Sequence, residues 1–202
     1  MDNSEIMVLK DAAELSYKAA ELLVRCISET LTRAEQFSLA LSGGSTPRTL
    51  FSLLVEDSSF KNVIPWEKIH FFWGDERHVP PQNSQSNYRM ANDIMLAKAR
   101  VQAENIHRMQ TEETDVGKVA ETYEQELRKF FGLSADQLPV FDFNLLGIGS
   151  DGHTASLFPG TEALSEKRRL VVANWVKKFQ TNRITMTAPV LNNADTILFL
   201  VS

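Results

Sequence analysis

The sequence predicts an α/β domain of three layers, with helices on both sides of a mainly parallel sheet. Three observations predict it. Stretches with helical periodicity alternate with strand-type runs, the pattern that pairs strands in parallel. The chain has 202 residues, 43% hydrophobic and 23% charged, enough for one core that buries roughly 70% of the unfolded surface without a disulfide or metal staple. No internal repeat, low-complexity tract or linker interrupts it. Residues 1–202 therefore read as a single domain.

Each element has its own local reason. Asp11 reads as a helix cap with Glu14 three residues on. Ala12, Leu15, Ala19, Leu22, Leu23, Cys26 and Ile27 then share one helical face. Phe37 to Leu41 is a short apolar strand. Gly43-Gly44-Ser45-Thr46-Pro47 turns sharply into a helix holding Leu50, Leu53 and Leu54, with Pro47 suited to a first helical position. Ile69 to Trp73 is a second strand, and a polar loop follows through Pro80 and Pro81. A helix from about Ser86 carries Met90, Ala91, Ile94 and Met95. Ile106 to Met109 reads as a short strand, and Val116 to Phe131 as a helix with Val119, Ala120, Tyr123, Leu127 and Phe130 inward. Phe141 to Ile148 is a strongly apolar strand. Leu170 to Trp175 and Arg183 to Thr187 are two more. A short helix through Pro189 and Leu191 leads to an apolar strand that ends the chain.

Composition excludes several classes of function. Twenty-one basic residues against 26 acidic ones leave a formal charge of −5, which argues against nucleic acid as a partner. Lys167-Arg168-Arg169 is a short basic cluster and reads as a solvated loop. The single cysteine, Cys26, rules out an internal disulfide and gives no sign of an oxidising compartment. Apolar runs fall far short of the ~18 residues of a membrane span. The start, Met1-Asp2-Asn3-Ser4-Glu5, has the character of neither a signal nor a transit peptide. A cytoplasmic protein, monomeric and without a membrane partner, is expected.

Three polar loops follow strands directly: Ser42–Pro47, Gly74–Pro81 and Gly149–Thr154. In a parallel sheet all three fall at one edge, outside the carboxyl ends of the strands, where such sheets bind ligands. In the first loop, Gly43 and Gly44 let backbone N–H groups converge on an anion. Ser45 and Thr46 add hydroxyls, and the helix start adds a favourable dipole. The loop lacks the Gly-Lys-Ser/Thr ending of a nucleotide P-loop, so a small phosphate such as a sugar phosphate fits better than ATP. A plain glycine turn with a Ser/Thr cap is the alternative. In the second loop, Asp75 and Glu76 beside Arg77 suit acid/base work or recognition of sugar hydroxyls and negative charge. A surface ion-pair cluster is the alternative there.

The third loop, Gly147-Ile148-Gly149-Ser150-Asp151-Gly152-His153-Thr154, contains Gly-x-Gly-x-x-Gly after a strand. It fits a dinucleotide site poorly, because Leu157-Phe158-Pro159-Gly160 breaks any helix it would open. Its useful content is His153, whose residue type suits base chemistry near neutral pH, with Asp151 close enough to orient it. Other chemistries drop out. No Gly-x-Ser-x-Gly elbow surrounds Ser42, Ser45 or Ser150. Cys26 has no adjacent base. His70, His78, His107 and His153 show no metal-ligand spacing, and there is no Cys-x-x-Cys. What remains is acid/base chemistry without metal or cofactor on a small phosphorylated substrate.

These loops together resemble the 6-phosphogluconolactonase family. The matching stretches are Leu41 to Pro47, Trp73 to Pro80, Leu146 to Pro159 and Asn182 to Thr187, in family order, and the resemblance as a whole runs from the first helix to the last residue. The family is a sister of glucosamine-6-phosphate deaminase/isomerase, and the resemblance implies a Rossmann-like fold. It implies hydrolysis of 6-phospho-D-glucono-1,5-lactone to 6-phospho-D-gluconate, a step of the oxidative pentose phosphate pathway. In that likeness His153 would be the general base and Asp151 would position it. Arg77 would hold substrate or the developing oxyanion, and Gly43, Gly44, Ser45 and Thr46 with Arg183 would hold the phosphate. Asp75 and Glu76 are further candidates for substrate contact.

Two rivals are weighed against this expectation. The deaminase/isomerase pattern places a glutamate five residues after the loop histidine, and here that position is Phe158, which cannot carry protons. A non-catalytic sugar-phosphate-binding protein is the second rival. The resemblance implies a glycine turn, a phosphate-binding lysine and another helix beyond the terminal strand, and the sequence ends at Ser202 before them.

Overall fold

The computed structural model describes residues 4–202. Four strands form a parallel sheet in the order β2-β1-β4-β7: β1 (Phe37–Leu41), β2 (Ile69–Trp73), β4 (Phe141–Leu146) and β7 (Ala194–Phe199). Every side chain of β1 is buried, as expected of a strand covered on both faces, whose sequence runs apolar without alternating. The helix α1 (Ala12–Thr30) packs on α2 (Ser45–Glu56) and on β4. The helix α5 (Val116–Phe130) closes the other side, burying Val119, Ala120, Tyr123 and Leu127. Its Tyr123 hydroxyl accepts from the Trp73 N–H at 2.9 Å and donates to the Trp73 carbonyl at 3.2 Å. The sheet is thus parallel and flanked by helices.

The chain leaves β1 to form β2 on one side and later returns to place β4 on the other. This reversal opens a crevice at the carboxyl ends of β1 and β4, the place where open α/β sheets bind ligands. The loops after those two strands are the glycine turn and the histidine loop.

The structure departs from the expected single sheet in one respect. Three strands, β3 (Asp75–Arg77), β5 (Val171–Val176) and β6 (Thr181–Met186), form a separate antiparallel sheet in the order β3-β6-β5. The polar loop expected from Gly74 therefore contains a strand. Its charged triplet gives no apolar signal, and pairing comes from β6, with Arg77 opposite Arg183. Gly74 sits at the divergence: its N–H donates to Leu41 O in one sheet, and its carbonyl accepts from Met186 N in the other.

Local signals hold with small corrections. Asp11 accepts from the N–H groups of Ala13 and Glu14, but Glu14 takes the Lys10 N–H instead of closing a box on Asp11. On α1, Ala12 is exposed and Leu15, Leu22 and Cys26 are half-buried, while Ser16, Ala20 and Thr30 join the core. Pro47 is third in α2, still within the first turn, where an N–H has no helical acceptor. The helix from Ser86 is α4 (Asn87–Ala91), which runs into a wider π turn at Asn92–Leu96. Residues 106–109 make an isolated bridge from Ile106 to Phe71, not a strand. The short α6 (Ala188–Leu191) precedes β7, an edge strand on which Ile197 and Leu198 are half-buried and Phe199 is exposed.

Candidate active site

A cleft of about 290 Å³ lies across the carboxyl ends of the parallel strands. It is lined by Ser42–Pro47, Asp75, Arg77, Asn87, the Gly147–Gly149 turn and His153, among others. The three loops singled out in the sequence thus meet in one place. Its volume is at the lower end of ligand sites, room for a small ligand rather than a dinucleotide.

The glycine turn leads straight into α2. Gly44 is the cap residue at φ 109°, a conformation that excludes a side chain without strain, and no side chain caps the helix. The first N–H groups of α2 therefore face the cleft with the positive end of the helix dipole, joined by the Ser45 and Thr46 hydroxyls.

The histidine loop closes on itself, with Gly149 N–H donating to His153 O and Gly152 N–H to Gly149 O. This brings His153 Nδ1 to 2.5 Å from Asp151 Oδ1. The imidazole rests directly over Gly149: a Cβ there would stand 2.1 Å from His153 Cε1. The ring also stacks on Phe158, with ring centroids 4.0 Å apart and planes at 20°. Phe158 is 4% exposed. The ring is thus held among the Asp151 carboxylate, the Gly149 backbone and the Phe158 ring. Asp151 Oδ2 accepts from Lys178 Nζ at 2.8 Å. The hydrogen bond from His153 first, and that from Lys178 second, hold the Asp151 carboxyl well below the usual carboxylate range.

Arg77 and Arg183 stand side by side on β3 and β6, both half-buried. Neither makes an ion pair with a carboxylate among the described residues, and the buried Nε of each lacks a partner. Burial and the neighbouring Arg77 cation lower the pKa of Arg183. Two close guanidinium groups with spare donors are poised for an anionic ligand. Arg77 lines the cleft; Arg183 lies behind it, against Phe179.

Asp75 also lines the cleft. Its Oδ2 accepts from Ser156 Oγ at 2.6 Å, which ties the histidine loop to the second sheet. Glu76 is the correction. Alternation along β3 turns it inward to 2% exposure. Its two oxygens accept from Arg77 N, Asn87 N, Tyr88 N and Ser86 Oγ. Burial pushes its pKa up against those four donors. With its oxygens so occupied and no place on the cleft wall, it anchors the start of α4 and is not available to substrate. His78 turns away to Glu113 O. The structure also brings Asn87 to the cleft wall and Phe158 and Lys178 against the His153–Asp151 pair; of these the sequence singles out only Phe158, and not for this contact. The stack and the lysine contact have no signal in local spacing, and Asn87 reads only as a helix start.

A model of the glucosamine-6-phosphate isomerases/6-phosphogluconolactonase family matches residues 10–202. The chain belongs to this family. A 6-phosphogluconolactonase of Nostoc sp. is 39% identical over 197 residues, covering 98% of this chain and 79% of that protein. A 6-phosphogluconolactonase of Synechocystis sp. is 43% identical over 181 residues, covering 88% and 72%. Among solved structures, the 6-phosphogluconolactonase from Trypanosoma cruzi superposes with a TM-score of 0.88 at 32% identity, covering 98% of this chain and 80% of that one. The matched residues 10–202 include Gly43–Thr46, Arg77 and His153, which converge on the cleft of this chain.

Proposed function

We infer that this chain hydrolyses 6-phospho-D-glucono-1,5-lactone to 6-phospho-D-gluconate, a step of the oxidative pentose phosphate pathway. The observation that carries the inference is the His153–Asp151 pair, facing a glycine-lined helix start across one small cleft. Relatives at 39% and 43% identity bear the name of this activity.

The chemistry follows from the arrangement. Asp151 accepts from Nδ1 of His153, which directs the other ring nitrogen, Nε2, toward proton acceptance. His153 takes a proton from water as the water oxygen bonds to the lactone carbonyl carbon. Arg77 faces the oxyanion or the substrate hydroxyls. The ring C–O bond then breaks, and the proton on His153 passes to the departing ring oxygen, leaving a free hydroxyl and a carboxylic acid that releases its proton to solvent and becomes the carboxylate. A positioned base typically contributes 10²–10⁴-fold, and a preorganised oxyanion donor about 3–4 kcal/mol. The lactone is an activated ester with a tethered leaving group, so these terms suffice. The phosphate is held by Gly43, Gly44, Ser45 and Thr46, with Arg183 supporting the cationic wall. The reading uses only the protein's own side chains and backbone, in a single sugar-phosphate hydrolase domain acting in the cytoplasm.

The sister deamination is disfavoured by Phe158. Where the resemblance calls for a proton-carrying glutamate, a phenyl ring stacks on His153. The test is hydrolysis of the lactone above its spontaneous rate, with glucosamine 6-phosphate left unconverted. Release of ammonia from glucosamine 6-phosphate would favour the sister reaction. Calorimetric binding of 6-phosphogluconate without lactone turnover would favour a binding protein.

A further inference from the structure

The hairpin joining β5 to β6 meets the histidine loop from outside the cleft. Its tip is the single turn Lys177–Phe179, closed by Gln180 in the left-handed region at φ 50°. Lys178 Nζ lies 2.8 Å from Asp151 Oδ2, while Asp151 Oδ1 holds His153 Nδ1. The next residue, Phe179, packs edge-on against Phe158 with centroids 5.8 Å apart, and Phe158 stacks on His153. One short tip therefore supports both groups that hold the imidazole. Lys178 does not line the cleft, so its place in the reaction is indirect.

We propose that Lys178 is a positioning residue for His153 that acts through Asp151, fixing the second carboxylate oxygen and offsetting part of its charge so that the imidazole is kept oriented with Nε2 free to accept a proton. The proposal rests on the reading of His153 as base. A carboxylate bonded to an imidazole favours the imidazolium, which accepts no proton. An ammonium on the opposite oxygen weakens that preference and removes the carboxylate's freedom to swing. The hydrogen bonds from His153 and Lys178 hold the Asp151 carboxyl well below the usual range, so it is ionised throughout the test. Lys178 and Asp151 side chains are 54% and 28% exposed, so the effect is modest and screened by salt. The other charged groups around His153 are Asp75 and Arg77 on β3, which share its cleft, and Arg183 on β6 beside Arg77. They stay unchanged in the variants below.

The test is the pH dependence of lactone hydrolysis by the full chain and by Lys178→Met, Lys178→Arg, Asp151→Asn, Lys178→Met with Asp151→Asn, and His153→Ala. Lys178→Met is expected to move the acid limb upward by roughly half a pH unit. The rate then falls about threefold below the limb and converges on the parent at alkaline pH, with KM within about twofold. Lys178→Arg restores the parental limb, high salt narrows the difference, and Lys178→Met adds no loss once Asp151 is asparagine. A loss that is uniform across pH, an unmoved limb, or an undiminished effect in the asparagine background overturns the proposal. If Asp151→Asn alone falls to the spontaneous rate, the limb of the single Lys178→Met variant decides. Parental activity in His153→Ala sinks the base reading itself. An inactive His153→Ala beside an unshifted Lys178→Met profile sinks only the role of Lys178.

Discussion

Replacing Gly149 by alanine tests the geometry of the proposed base without touching a charged group. The added Cβ would lie 2.1 Å from His153 Cε1 and 2.2 Å from Nδ1. Carbon atoms at rest in contact stand about 3.5–4.0 Å apart, so the imidazole must retreat by roughly 1.5 Å. The ring is a side-chain end on a surface loop, so it swings aside and the fold survives. Leaving its place breaks the bond to Asp151 and the stack on Phe158. A misplacement of about 1 Å costs on the order of 10²-fold, and complete loss of a general base about 10²–10⁴-fold. The expected result is a kcat lower by at least roughly 10²-fold, with a melting temperature within a few degrees of the parent. Initial rates corrected for spontaneous lactone hydrolysis, beside a thermal melt, measure both. A Gly149→Ala variant that folds and keeps parental kcat would refute the claim that His153 acts from this position.

Other perturbations address separate parts of the structure. Phe158→Leu removes the stack from a nearly buried site and is expected to cost about 1 kcal/mol of stability; kcat should fall with KM little changed, and Phe158→Tyr should restore it. Arg183→Met should weaken 6-phosphogluconate binding by only roughly two- to fivefold in calorimetry, because Arg183 stands behind the cleft and acts through the positive field it adds to Arg77. Tyr123→Phe leaves the buried Trp73 N–H without its acceptor and should lower stability by about 1–3 kcal/mol, read as a drop in Tm at nearly unchanged kcat. Burial pushes the Tyr123 hydroxyl well above its ordinary range, so the folded state keeps a proton that the unfolded chain releases above about pH 10. Stability should therefore decline as pH rises past that point, and less steeply in Tyr123→Phe.

The parallel sheet was legible because buried strands such as Phe37–Leu41 and Phe141–Leu146 are apolar throughout, and their helices carry a clear period. The convergence of Gly43–Thr46, Arg77 and His153 followed from the rule that loops after parallel strands share one edge. The second sheet was not legible. Asp75-Glu76-Arg77 is a strand because β6 pairs with it, and nothing in three charged residues announces that. Glu76 was misplaced for a related reason: its four donors come from Ser86 to Tyr88 as well as its own neighbour, an arrangement only the tertiary fold creates. Phe158 was read from its position as a residue that cannot carry protons. Its stack on His153 needed the loop to fold back, and Lys178 reaches Asp151 across 27 positions of chain.

The most direct test of the account is the lactone assay on the 202-residue chain and its His153→Ala variant. The parent chain should hydrolyse 6-phosphogluconolactone above the spontaneous rate, and His153→Ala should lose that excess. An alanine variant as active as its parent, or a parent no faster than water alone, would contradict it.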